Sequence, residues 1–213
     1  MAKSKATYIL ISDGLLIKKD IDGLLKKKVA EEVKHVIKRE CLIEDVPYLV
    51  NEEKPSKQKV FLISAGSLNA TAKGCGWDHS IIKNKSNLVE DAFMEFKKCL
   101  LALDNIRRKK RCIIRMVGLL PLPKEQDIDD APEEEKELSE MLSRLFVHIN
   151  NEIKRFNGGG GTVTLEKFVS LSGQKQFKTG QKKMKFRAYK EGNPTEETKD
   201  NLSRRIIKYL ESM

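Results

Sequence analysis

Three short runs constrain this chain most: "TYILI" at Thr7–Ile11, "KVFLIS" at Lys59–Ser64 and "CIIRMV" at Cys112–Val117. Each is β-branched and apolar with no regular alternation of polar residues, so each reads as a strand buried on both faces, the habit of parallel sheets. Parallel neighbours must be joined by crossovers, and amphipathic stretches lie between these runs.

Lys26–Glu40, "KKKVAEEVKHVIKRE", brings Val29, Val33, Val36 and Ile37 round at helical spacing and predicts a helix. Leu88–Leu103 repeats the pattern, with Leu88, Ala92, Phe96, Cys99, Leu100 and Leu103 on one side. Leu138–Phe156 does so again through Leu142, Leu145, Ile149 and Ile153. Gly158–Gly161 then stops the helix, Thr162–Leu171 reads as a further strand, and a last helix runs from Pro194–Glu197 through Leu202, Ile206, Ile207 and Leu210. The expectation is one α/β domain over 1–213, a three-layer sandwich with a mostly parallel central sheet.

Charge adds a second constraint. The formal net charge is +10, yet the stretch 125–137 holds eight of the 31 acidic residues and reads, with Pro121 and Pro123, as one exposed acidic loop over about 124–137. The remainder is strongly basic, a field that attracts polyanions, nucleic acid foremost. Cys41, Cys75, Cys99 and Cys112 form no C-x-x-C pair, and His35, His79 and His148 have no metal-type spacing, so no zinc site and no cofactor are expected. The apolar run before Asp13 is too short for a signal peptide and no segment is long enough to span a bilayer, which points to the reducing cytoplasm or nucleus.

In such a sheet, functional residues gather in loops leaving the carboxyl ends of strands. Those loops read Ser12-Asp13-Gly14-Leu15, Gly66-Ser67-Leu68-Asn69 and, before the last helix, Lys190-Glu191-Gly192-Asn193-Pro194-Thr195. Together they resemble the blocks of the SGNH (GDSL-type) hydrolases: Gly-Asp-Ser-Leu, Gly-x-Asn-Asp and Asp-x-x-His. On that resemblance the nucleophile becomes Gly14, the oxyanion-stabilising Asn becomes Leu68, the orienting Asp becomes Lys190 and the base becomes Asn193. Glycine has no hydroxyl, leucine donates no hydrogen bond, lysine cannot orient a histidine as a carboxylate does, and asparagine takes no proton near neutral pH. No catalytic residue is therefore expected.

A rescue through Ser12 would need a histidine. His35 and His148 are expected on helices, which leaves His79 in a loop after Trp77. The family's second block, a glycine after strand two, is expected near Val46–Asn51, with Asn51 in its place.

A basic SGNH-like domain without its triad is similar to the OSK-type domains of insect germ-plasm organisers. That resemblance implies RNA as partner, with germ-granule proteins besides, no membrane and no small-molecule substrate. The cations expected to meet RNA are Lys38 and Arg39; Arg107, Arg108 and Lys109; Lys178, Lys182, Lys183, Lys185 and Arg187; and Arg204 and Arg205. The 107–111 run either caps its helix or meets phosphate. The 178–187 run adjoins the degenerate loop and carries Phe177, Phe186 and Tyr189 for base stacking, although Phe186 is equally suited to a core strand. Two other readings compete: an esterase or lipase using a non-standard serine, and a scaffold whose cleft binds protein or lipid.

Overall fold

The computed structural model describes residues 7–13, 33–84, 87–119, 132–158, 189–190, 193–194 and 204. Strand β1 (Thr7–Ser12) lies between β2 (Val33–Ile37) and β3 (Lys59–Ser64), and β4 (Ile113–Met116) flanks β3, giving the order β2-β1-β3-β4 with every pairing parallel. The expected parallel α/β architecture holds. Helices α1 (Val46–Glu52), α2 (Ala72–Cys75), α3 (His79–Asn84), α4 (Leu88–Lys110) and α5 (Glu133–Phe156) connect or flank these strands. Tyr189–Lys190 (β5) and Asn193–Pro194 (β6) pair antiparallel with each other.

The core follows from strand alternation. Ile9, Ile11, Phe61, Ile63, Ile114 and Met116 point to one face and pack against Val46 and Val50 of α1, Phe96, Leu100 and Leu103 of α4, and Leu145, Ile149 and Ile153 of α5. Leu10, Val60 and Leu62 are buried on the opposite face, so the sheet is a central layer.

The long helices carry charges suited to their dipoles: Glu133–Glu135 begin α5 and Lys154 and Arg155 end it, while Glu90 and Asp91 begin α4 and Arg107–Lys110 end it. Polar clamps hold α5 to β4. Asn157, buried after the last turn, accepts from Met116 N at 3.0 Å and donates to Met116 O at 2.8 Å, while Asn150 Oδ1 accepts from Leu119 N at 2.8 Å.

Several expectations need correction. Val33–Ile37 is a strand, not part of a helix over Lys26–Glu40. Three of its five residues are β-branched, and the β1 ladder outweighs a helical spacing that the same valines also satisfy. Residues 133–137 of the acidic stretch are the first turns of α5, because carboxylates at a helix start meet the positive end of its dipole. Arg107–Lys110 belong to α4 itself instead of following it. His79 opens α3 rather than lying in a loop. The expected strand Thr162–Leu171 lies outside the described residues, as does the terminal helix apart from Arg204, which is helical and exposed.

Candidate functional site

The parallel strands end together, and their carboxyl ends assemble a polar cluster. Ser12 pairs in register with Ile37 on one side and Ser64 on the other, so His35, two residues before Ile37, is its diagonal neighbour on the same face. The Ser12 Oγ and His35 Nε2 are 2.8 Å apart, a hydrogen bond. A serine–histidine contact thus exists where the helical reading of residues 26–40 had removed it; the strand assignment of β2 creates it.

Geometry alone does not make Ser12 a nucleophile. Its relative exposure is 0%, and a hydroxyl nucleophile needs a substrate within reach as well as a base. Ser64 is buried beside it, and its hydroxyl has no hydrogen-bond partner among the described residues. His148 is committed elsewhere, its ring 5.4 Å from that of Phe93 between α4 and α5.

The loop after β3 turns through a left-handed glycine. Gly66 has φ +94, the left-handed region that favours glycine, and a Cβ there would come 3.3 Å from the Phe96 ring. Leu68 stands in the 3-10 turn Ser67–Ala70, and its carbonyl accepts from Thr71 Oγ1 at 2.7 Å. Gly74 lets α2 close on that turn, since a Cβ at 74 would lie 1.9 Å from the Leu68 carbonyl oxygen. Asn69 is used structurally: its Oδ1 accepts from Ile43 N at 2.8 Å and its Nδ2 donates to the Glu44 carboxylate at 3.1 Å and 3.2 Å.

Gly14 lies outside the described residues. Lys190 and Asn193 face each other across the β5–β6 pairing, which fixes their backbones as partners. The glycine-like position after strand two is not Asn51, which sits inside α1. The segment that follows β2 is Lys38–Glu40, where Glu40 has φ 53.

Among the described residues, Lys38 and Arg39 lie on a different part of the fold from Arg107, Arg108 and Lys109. Lys38 pairs with Asp45 at 2.6 Å, and this carboxylate holds the lysine ammonium above its ordinary range; Arg39 beside it is exposed. Arg107 and Arg108 both reach Asp104, the latter at 2.7 Å. Arg107 also donates to Phe156 O at 3.2 Å and sits over the Phe156 ring at 5.0 Å. Arg107 is thus half-buried structure, not the exposed charge expected of it. Lys109 is exposed, as are Lys110 and Arg111.

The Lys38–Arg39 pair follows the carboxyl end of β2, while the 107–111 run precedes the amino end of β4, at the two edges of the described sheet. By strand geometry these two strand ends are offset by about 13 Å along the strands and about 14 Å across them, and the basic groups lie beyond them. Lys178, Lys182, Lys183, Lys185, Arg187 and Arg205 lie outside the described residues. Among the described residues there is no group of three or more His, Cys, Asp or Glu side chains placed to hold a metal, and no helix is long and apolar enough to cross a membrane.

No protein-family model matches this chain, and no curated protein matches it in sequence. Among solved structures, the crystal structure of phospholipase A1 from Streptomyces albidoflavus NA297 is similar at 9% identity and a TM-score of 0.49, over 79% of this chain and 81% of that one.

Proposed function

We propose that this chain is a non-catalytic RNA-binding domain, of the kind found at the carboxy end of Oskar, the insect germ-plasm organiser. Its ligands in that reading are single-stranded regions of messenger RNA, germline messages such as nanos and oskar among them, within cytoplasmic granules of the germ plasm. The observation that carries it is the end of α4. Lys109, Lys110 and Arg111 are three consecutive exposed cations with no ion-pair partner among the described residues, on a chain of formal net charge +10. Cations left unneutralised by the protein can release counterions from a phosphate backbone, the main source of affinity for RNA. Leucine at position 68 and the burial of Ser12 favour the same non-enzymatic reading.

The test is fluorescence anisotropy of a labelled oligouridylate with the purified chain across a salt series. Wild type should bind with affinity that falls steeply with salt, and Lys182→Glu, Lys183→Glu, Arg187→Glu together should weaken binding and flatten that dependence. Absence of salt-sensitive affinity in the wild type would remove the RNA reading. The Ser12–His35 bond favours one second reading, an esterase with a non-standard serine. Ester hydrolysis by the wild type that Ser12→Ala abolishes would establish it.

A further inference from the structure

Helices α4 and α5 run in parallel, since Phe93 meets His148 and, further along both, Arg107 meets Phe156. Between their carboxyl halves lies an open groove of about 240 Å³. Lys97, Arg107, Arg108 and Arg155 bring four positive charges to its walls against two carboxylates, Asp104 and Glu152.

Both carboxylates are already taken. Asp104 and Glu152 are each 15% exposed, and each holds arginines from its own helix: Arg108 Nε lies 2.7 Å from Asp104, and Arg155 Nη1 lies 3.2 Å from Glu152. Each rim arginine is thereby fixed along one edge, yet its side chain remains 77% exposed. A guanidinium has five N–H donors, so donors remain on each rim residue for an incoming anion, and their prior anchoring lowers the entropy lost on binding.

The groove is also apolar between its charges. Leu101 exposes 56% of its surface there, and Phe156 presents a ring already covered on one side by the Arg107 guanidinium. Cations around an apolar, partly planar wall suit a phosphate joined to a flat base, whereas an acidic peptide would use the cations and leave Leu101 and Phe156 without a role.

Resting on the RNA-binding reading, we propose that this groove holds one unpaired nucleotide of single-stranded RNA, its phosphate between Arg108 and Arg155 and its base against Leu101 and Phe156. Lys109, Lys110 and Arg111 extend the phosphate track from the end of α4. Lys97 and Arg155 thereby join the RNA surface. Each sits in a short basic pair, Lys97–Lys98 and Lys154–Arg155, that the sequence does not single out; only helix packing brings them beside Arg108.

The experiment measures oligouridylate affinity of the full chain by anisotropy across a salt series, with circular dichroism to verify folding. Arg108→Glu with Arg155→Glu should weaken binding about tenfold or more and reduce the logarithmic salt slope by about 1.4, two contacts at about 0.7 each. Leu101→Ser, at an exposed position, should weaken binding a few-fold with the slope unchanged. Folded groove variants that bind like wild type, while the Lys182, Lys183 and Arg187 reversal loses binding, would overturn the groove and leave RNA binding standing. No salt-sensitive binding by the wild type would overturn both. Polyglutamate that binds the wild type through Arg108 and Arg155, with oligouridylate affinity unaffected by their reversal, would assign the groove to an acidic protein segment.

Discussion

The carboxyl ends of the strands and the carboxyl ends of the long helices offer opposite answers to the same problem of placing polar groups. At the strand ends, Ser12 is buried and its Oγ lies 2.8 Å from His35 Nε2, so these two polar atoms turn toward one another. At the helix ends, Asp104 and Glu152 are shielded while their arginine partners face solvent. A serine–histidine contact is therefore weak evidence of chemistry without access, and a set of paired ions remains competent to bind when its cations are the exposed partners. Ion-pair lists alone would rank the two regions the other way round.

The largest effect that can break the comparison comes from Asn157. Its side chain supplies both an acceptor and a donor to Met116, fixing the end of α5, and with it Arg155 and Phe156, against β4. Asn157→Ala leaves a buried N–H and a buried C=O without partners, at a cost of about 2–4 kcal/mol in urea unfolding. On the proposed RNA-binding reading, affinity at the helix ends should fall as α5 loosens, while the Ser12–His35 contact, held by β1 and β2, persists. A cost under about 1 kcal/mol would mean that the groove does not depend on this clamp.

Next comes Ser12→Ala, which removes the hydroxyl from His35. One partly buried hydrogen bond is worth about 1 kcal/mol, so the urea midpoint should fall modestly with an unchanged m-value, and RNA affinity should not move. If RNA affinity fell with the fold intact, the strand-end cluster would be part of the binding surface and the contrast between the regions would fail.

Much of the fold was legible because it rests on local pattern. Lys59–Ser64 is the observed β3, and the predicted Leu88–Leu103 and Leu138–Phe156 helices lie inside longer ones, α4 and α5, whose added turns are charged and so carry no apolar period. Val33–Ile37 was misread because valines at 29, 33 and 36 satisfy a helical spacing, and only pairing with β1 decides between the two states. The same error hid the site: His35 can reach Ser12 only from a strand in register. Leu68 was legible as a loop residue because the β3 run before it is unambiguous, and it stands in the 3-10 turn that follows that strand. Arg155 was not readable, because its relation to Arg108 depends on how two helices pack, 47 positions apart in sequence.

The smallest effect sharpens the comparison within β2 itself. On the face opposite His35, Lys34 reaches from this edge strand to the Glu53 carboxylate after α1, at 2.6 Å and 2.8 Å, with the lysine side chain 57% exposed. Water and salt screen such a pair, so Lys34→Ala should cost only about 0.2–1 kcal/mol, less at high salt. The Ser12–His35 bond on the other face involves a fully buried hydroxyl and should respond little to salt. Unfolding measured at low and high ionic strength therefore separates the two ties of β2. The loss in Lys34→Ala should shrink with salt and the loss in Ser12→Ala should stay constant. If Lys34→Ala instead cost more than Ser12→Ala at both salt concentrations, β2 would be anchored more by its exposed ion pair than by the buried Ser12–His35 bond.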